Sequence, residues 1–240
     1  MGTVPERLPA GALVIEWLSM KLAILSSSLL IVSYAFAAMP LEPGATLFEN
    51  DQVKVMRALE KAHVKGKAHE HKSNRVMIYL QAGVQRFEYQ DGRQPEVFNW
   101  KADQVNWSPS NGTHAPEVTG DDNFNILEVE LKTPGTGKAI PAEMDPLKID
   151  PKHYKLEFEN DQVRVSRVKI GAHEATPLHR HTTNRVSVYL TDQSFRTTSE
   201  DGKVEAVKHK AGEAVWGTPL THKEENVSDQ PFEVILVELK

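Results

Sequence analysis

From Phe48 the chain reads FENDQVKVMR, and from Phe158 it reads FENDQVRVSR. Between Phe48 and Leu80, 17 of 33 positions are identical to the residue 110 further along. The match resumes where Lys101, Ala102 and Trp107 correspond to Lys210, Ala211 and Trp216, and both units close on Val-Glu-Leu-Lys. A unit of about a hundred residues written twice restricts the chain to a fold that is complete in that length and can be set beside its own copy.

Within each unit the pattern is β. Val163 and Val165 alternate with Arg164 and Ser166, and Val186, Val188 and Leu190 repeat the period of two, as do Val76, Ile78 and Leu80. Turn pairs such as Asp91-Gly92, Asn111-Gly112 and Asp201-Gly202 separate the runs. No amphipathic helix of ten or more residues is expected after Ala38. Residues 133–152, with Pro134, Gly135, Gly137, Pro141, Pro146 and Pro151, have linker composition. The expected organisation is an all-β unit over 38–132, the linker 133–152, and a second all-β unit over 153–240.

Residues 1–37 are predicted to stand outside the fold, as an N-terminal extension and a signal peptide. Met20-Lys21 precedes an uncharged apolar run from Leu22 to Phe36, and Ala35-Phe36-Ala37 fits a cleavage site before Ala38. Export to the periplasm or medium is the expectation, with Met1 and Met20 both open as the start. An uncleaved segment of this length would be the only contact with a membrane. The chain has no cysteine, so disulfides and thiolate chemistry are excluded and any metal must be held by His, Asp, Glu or Asn. A net charge of -5 offers no basic surplus for nucleic acid.

The duplication repeats polar residues as well as apolar ones. His63, His69, His71 and His114 recur as His173, His179, His181 and His222. Arg57, Asn74 and Arg75 recur as Arg167, Asn184 and Arg185. Histidines at i and i+2 of an extended segment, as in His69-Glu70-His71 and His179-Arg180-His181, point to one face, and imidazole is a common metal ligand. His63 and His173 fall outside this spacing and are read as loop residues, and Trp107 and Trp216 as core.

On these motifs each unit resembles a cupin, and the whole chain a bicupin. The likeness rests on Gly171 ahead of His179-x-His181, on the Pro109 to His114 spacing with Asn111 where the family has Gly, and on His222-x-x-x-Asn226. It implies two tandem double-stranded β-helix, or jelly-roll, barrels. It also implies that His69, His71 and His114 converge in one and His179, His181 and His222 in the other, around a divalent ion, with Fe, Mn, Zn and Ni not distinguished. The sequence departs from the family at Arg75 and Arg185, where many cupins carry a metal-binding Glu. A guanidinium roughly 5 Å from a divalent ion would be repelled by about 7 kcal/mol even at an effective dielectric of 20.

A small carboxylate held between metal and arginine would relieve that repulsion, because guanidinium grips a carboxylate with two parallel hydrogen bonds. Strand parity places Arg185 on the histidine face, provided that no bulge intervenes. With a bulge, Asn74 and Asn184 would face the histidines instead, as alternative metal ligands. Arg57 and Arg167 share parity with the flanking valines and are expected to point inward as further anion contacts. No separate general base stands out, although Tyr79 and Tyr189 are available. The expected function is an exported bicupin with a three-histidine metal site in one or both barrels, binding or acting on a small anionic compound. If it is an enzyme, the resemblance implies a metal-dependent oxygenase or isomerase; the alternative is a metal-free ligand-binding or structural cupin. The resemblance also makes a homodimer an expectation.

Overall fold

The computed structural model describes residues 44–110 and 112–240. The expected signal peptide and Asn111 lie outside the described residues. The first unit runs β1 (Ala45–Glu49), β2 (Val53–Glu60), β3 (His69–Glu70), β4 (Arg75–Tyr79), β5 (Gly83–Tyr89), β6 (Glu96–Trp100), β7 (Gln104–Ser108), β8 (Thr113–Val118) and β9 (Phe124–Leu131). The second runs β10 (Tyr154–Glu159), β11 (Val163–Ile170), β12 (His179–His181), β13 (Arg185–Tyr189), β14 (Gln193–Ser199), β15 (Val204–His209), β16 (Ala214–Gly217), β17 (Leu220–Asn226) and β18 (Phe232–Leu239).

Each unit pairs its strands antiparallel into a five-stranded sheet, β1-β2-β9-β4-β7 or β10-β11-β18-β13-β16. Each also has a four-stranded sheet, β3-β8-β5-β6 or β12-β17-β14-β15. The repeat extends to irregularities: the register of β1 on β2 slips between Thr46 and Phe48, and that of β10 on β11 between Leu156 and Phe158.

The only helix among the described residues is α1 (Pro146–Ile149), a single turn in the connecting segment. Pro146 opens it and the Asp145 side chain accepts from Leu147 N at 3.3 Å, which satisfies a donor that has no partner within the helix. Among the described residues no helix is long and apolar enough to cross a membrane.

Alternation along the strands creates two apolar faces per five-stranded sheet. One face carries Val53, Val55, Val76, Ile78, Leu127 and Val129, and its copy carries Val163, Val165, Val186, Val188, Ile235 and Val237; all twelve belong to one cluster. The two large sheets therefore bury their valine faces against each other, and Trp107 of the first unit meets Phe158 of the second edge to face at 6.4 Å. The opposite faces fill the barrels. Met77, Tyr79, Val118, Phe124 and Ile126 line the first. Tyr154, Val168, Ile170, Tyr189, Phe195, Phe232, Val234 and Leu236 pack the second.

This arrangement corrects two expectations. Arg57 and Arg167 do share a face with the valines, but that face is the seam between barrels and not a barrel interior. Arg57 Nε donates to Asn125 Oδ1 at 3.0 Å, and Arg167 pairs with Glu157 and Glu233 and donates to the Asp103 carbonyl of the other unit. Neither is an anion contact at a histidine cluster. Nor do Asn74 and Asn184 face the histidines. Asn74 Nδ2 donates to Gln162 Oε1 at 2.5 Å, and Asn184 Nδ2 donates to Gln52 Oε1 at 2.7 Å. Each asparagine clasps the glutamine of the other unit's FENDQV turn. In those turns Asn50 and Asn160 accept from the backbone amides two and three residues ahead.

Candidate metal centres

Pairing of the strands decides how the histidines meet. His69 on β3 lies directly across from His114 on β8, and His179 on β12 across from His222 on β17. The neighbours at i+2, His71 and His181, share those faces. In each barrel one nitrogen from each of the three rings lies within 4.8 Å of the others.

In the second barrel every ring is oriented by its Nδ1. His179 Nδ1 is 2.9 Å from the Pro177 carbonyl, His181 Nδ1 3.2 Å from Glu238 Oε1 and His222 Nδ1 3.1 Å from Thr197 Oγ1. Donation through Nδ1–H leaves the Nε2 lone pairs for a common guest, the orienting arrangement usual around metal-bound histidine. His222 Nε2 is buried without a partner. His179 Nε2 is 3.0 Å from the Tyr154 hydroxyl. A buried imidazole nitrogen with nothing to bond is costly, and a cation between the three rings would satisfy it. This donor set fits a divalent ion that accepts neutral nitrogen.

Burial also keeps these rings uncharged. It lowers His179, takes His181 well below the usual histidine value and holds His222 at about 2; the neighbouring rings and Arg185 add to the last two shifts. In the first barrel, burial with the positive field of Arg75 and the sister rings lowers His71 to about 3 and His114 to about 4. His69 Nδ1 donates to the Lys67 carbonyl at 2.9 Å and its Nε2 lies 2.9 Å from His71 Nε2. Neutral rings are what a cation needs as ligands.

Around the rings the barrels part company. The first opens into a cavity of about 320 Å³ whose walls include the triad, Arg75, Glu60, Glu128, Phe87 and Trp100. The second encloses about 60 Å³, bounded by Tyr154, His181, Arg185, Gln193, His222 and Glu224 among others. His69 is exposed whereas His179 is fully buried.

Arg75 and Arg185 do turn to the histidine side of their strands, lining these two cavities. The charge problem posed by the sequence is answered differently in each. Arg75 Nη1 pairs with Glu128 Oε2 at 2.8 Å and its Nη2 donates to Ser108 Oγ at 3.0 Å, so the guanidinium is neutralised in place. Arg185 has Gly217 where Arg75 has Ser108, and a Cβ there would come within 2.9 Å of the guanidinium carbon. Its Nη1 donates to the Thr218 carbonyl at 2.8 Å, with no carboxylate in salt-bridge contact.

Several acidic groups escaped the sequence reading. Glu60 ends β2 on the interior face, where burial raises its carboxyl above the usual range and a hydrogen bond from Gln85 at 2.8 Å partly offsets this. Glu128 was hidden in the apolar run of β9. Glu224 lines the second chamber, where burial pushes it up to about 7 against the pull of Arg185. Glu238 is held by Arg164, whose other partner is Asp145 of the connecting segment. These acids stand beside Tyr79 and Tyr189 as candidate proton carriers, where in the sequence no separate general base stands out. The signal lay in what the copies do not share: Glu60, Gln85 and Glu128 stand where the second barrel has Ile170, Phe195 and Leu236. His63 and His173 lie in turns, 3.1 and 2.8 Å from Asp121 and Asp229, away from both clusters.

Two face-packed antiparallel barrels of this order, each with an inward histidine triad, make this a tandem cupin fold. The same fold is seen in AerE from Microcystis aeruginosa, at 14% identity and a TM-score of 0.56, covering 82% of this chain and 97% of that one. An oxalate decarboxylase from Bacillus subtilis matches at 12% identity and a TM-score of 0.58, over 82% of this chain and 74% of that one. A cupin 2 conserved barrel domain protein from Leptotrichia buccalis matches at 13% identity and 0.52, over 84% and 92%. The sequence matches no family model and no curated relative.

Proposed function

We propose that the first barrel is a divalent-metal centre that binds a small carboxylate and acts on it, in a protein exported through the apolar segment after Met20. The observation that carries this is the open cavity of about 320 Å³ built around three imidazoles, with Arg75 and Glu60 in its wall. That volume lies at the small end of the range for organic ligands. His69, His71 and His114 would hold the ion, and when bound it would supply Lewis-acid polarisation of a coordinated carboxylate.

The chain's own residues do the rest. The Lys67 carbonyl fixes the His69 tautomer so that Nε2 faces its sister rings. Glu128 and Ser108 clamp Arg75 at the cavity wall, and Arg75 Nε, buried and without a partner, is a donor for an anionic oxygen. Glu60, its carboxyl raised by burial, can carry a proton to or from a bound substrate. Phe87, Phe98 and Trp100 give the cavity an apolar wall that limits competing water. Mn(II) centres are described for the Bacillus oxalate decarboxylase, which supports manganese and oxalate as the first probes.

The test uses metal-depleted full-length protein reloaded separately with Mn²⁺, Fe²⁺, Zn²⁺ or Ni²⁺. Oxalate and malonate are expected to raise the melting temperature only after metal loading. His69→Ala should abolish the effect and Arg75→Lys should weaken it. If neither acid shifts any loaded form, the carboxylate reading fails.

A further inference from the structure

We infer that Tyr154 is a fourth protein ligand of the second metal centre, giving a His179, His181, His222, Tyr154 donor set that leaves little room for substrate. Tyr154 is the first residue of β10. Its backbone amide donates to the Asp150 carbonyl at 3.0 Å, so the connecting segment that carries α1 also aims this side chain. The phenol is buried, 2% exposed, and borders the same small chamber as His181 and His222.

The decisive distance is the 3.0 Å from the Tyr154 oxygen to His179 Nε2. Neighbouring donors at about 2.1 Å from one ion are themselves about 3 to 3.4 Å apart, from octahedral to tetrahedral coordination. The oxygen therefore stands at the separation expected of two ligands on one ion. His69 Nε2 and His71 Nε2 in the first barrel are spaced alike, at 2.9 Å. Without a cation, the Tyr154 O–H donates to the His179 Nε2 lone pair. A bound cation would be held by His179 Nε2 and the Tyr154 oxygen in place of that hydrogen bond, with the phenol proton released to solvent.

Among the described residues the first barrel has no counterpart. The position equivalent to Tyr154, one residue before the Ala45 that pairs with Arg57, is Gly44. A side chain supplied in one copy and withheld in the other separates a closed centre from an open one. In general a three-histidine site with a free position admits substrate, whereas a fourth protein ligand makes a site structural.

The inference rests on reading the triads as metal sites, but in the second barrel, so it can fail while the proposal for the first barrel stands. The test uses the full chain carrying His69→Ala and His114→Ala, metal-depleted, given ferrous iron and then oxidised with ferricyanide. One iron per chain and a visible phenolate-to-iron(III) charge-transfer band, with tyrosine ring modes in resonance Raman, are expected. Tyr154→Phe should remove the band. Tyr189→Phe should leave it, since Tyr189 borders the same chamber but stacks on His209 at 3.9 Å. Ring-deuterated tyrosine in the otherwise unchanged double variant should shift the Raman modes, a readout independent of how Tyr154→Phe folds. Absence of bound iron, bound iron without the band, or a band that survives Tyr154→Phe or is lost in Tyr189→Phe would each overturn the inference.

Discussion

Where the first barrel has Gly44, with φ near +79° and nothing within 4 Å of a hypothetical Cβ, the second has the buried ring of Tyr154. The same contrast recurs inside the barrels. Glu60, Gln85 and Glu128 of the first give way to Ile170, Phe195 and Leu236, so polar and charged cavity walls become packed apolar ones. Lys54, half-exposed on the first unit, gives way to Arg164, buried between Asp145 and Glu238. What the barrels keep in common is the scaffold, three inward histidines each and the arginine beside them. The histidine triad is common to both copies, whereas the surroundings differ: the first opens into a cavity of about 320 Å³ and the second encloses about 60 Å³.

The largest effect should come from breaking the ion network that closes the second barrel. Arg164→Met removes the cation between Asp145 and Glu238, leaving Glu238 only its contact with His181, and truncating one partner of such a network costs about 3–5 kcal/mol. The matched change in the first barrel, Lys54→Met, should stay within about 0.5 kcal/mol. Urea unfolding of the two variants measures the difference. Equal losses would break the asymmetry drawn here.

Acid titration of metal-depleted protein should come next. Above pH 6.5 the imidazoles of His71, His114 and His222 are neutral in both folded and unfolded chains, so they give no pH dependence. Below it the unfolded chain takes up protons that the folded one refuses, and stability falls. The window closes near pH 4 for His114, near 3 for His71 and near 2 for His222. His114→Gln and His222→Gln should therefore flatten the decline alike between pH 6.5 and 4. Below pH 4 the gain from His114→Gln should stay constant, and only His222→Gln should still change the slope relative to the parent. Urea midpoints across this range check both statements, and the full effect of His222 is on the order of a few kcal/mol.

The smallest effects belong to the reciprocal clasps that tie the barrels together. Asn74→Ala and Asn184→Ala should each cost about 1 kcal/mol, roughly equally, because the two contacts mirror each other across the seam. Chemical denaturation reads this directly. A much larger loss for one of them would mean that the seam is less symmetric than its contacts.

Much of the fold was legible because a period of two and an exact spacing between copies are properties of the chain alone. Val53, Val55, Val163 and Val165 alternate with polar neighbours, and that suffices to say strand. It does not say which face is the barrel interior. The valine face looked like a core and is one, but it is the core between barrels, which is why Arg57 and Arg167 were placed on the right side of their strands and in the wrong environment. The histidines were legible for a different reason: an i, i+2 pair fixes its own face, and the register of β3 with β8 and of β12 with β17 brings the third ring opposite. Glu60 and Glu128 were not, since a carboxylate on a strand looks the same in sequence whether it meets water or an arginine.

By itself, then, the sequence determined a duplicated all-β unit, its strand periodicity and the two sets of three histidines, all of which follow from local spacing. Only the tertiary structure decided that Asn74 and Asn184 bind the other barrel's turns, that Glu128 neutralises Arg75, and that Tyr154 stands against one triad while Gly44 takes its place in the other unit. Those outcomes depend on groups from separate strands meeting in space. Burial then sets their charge and access, and neither quantity is written in any single stretch of chain.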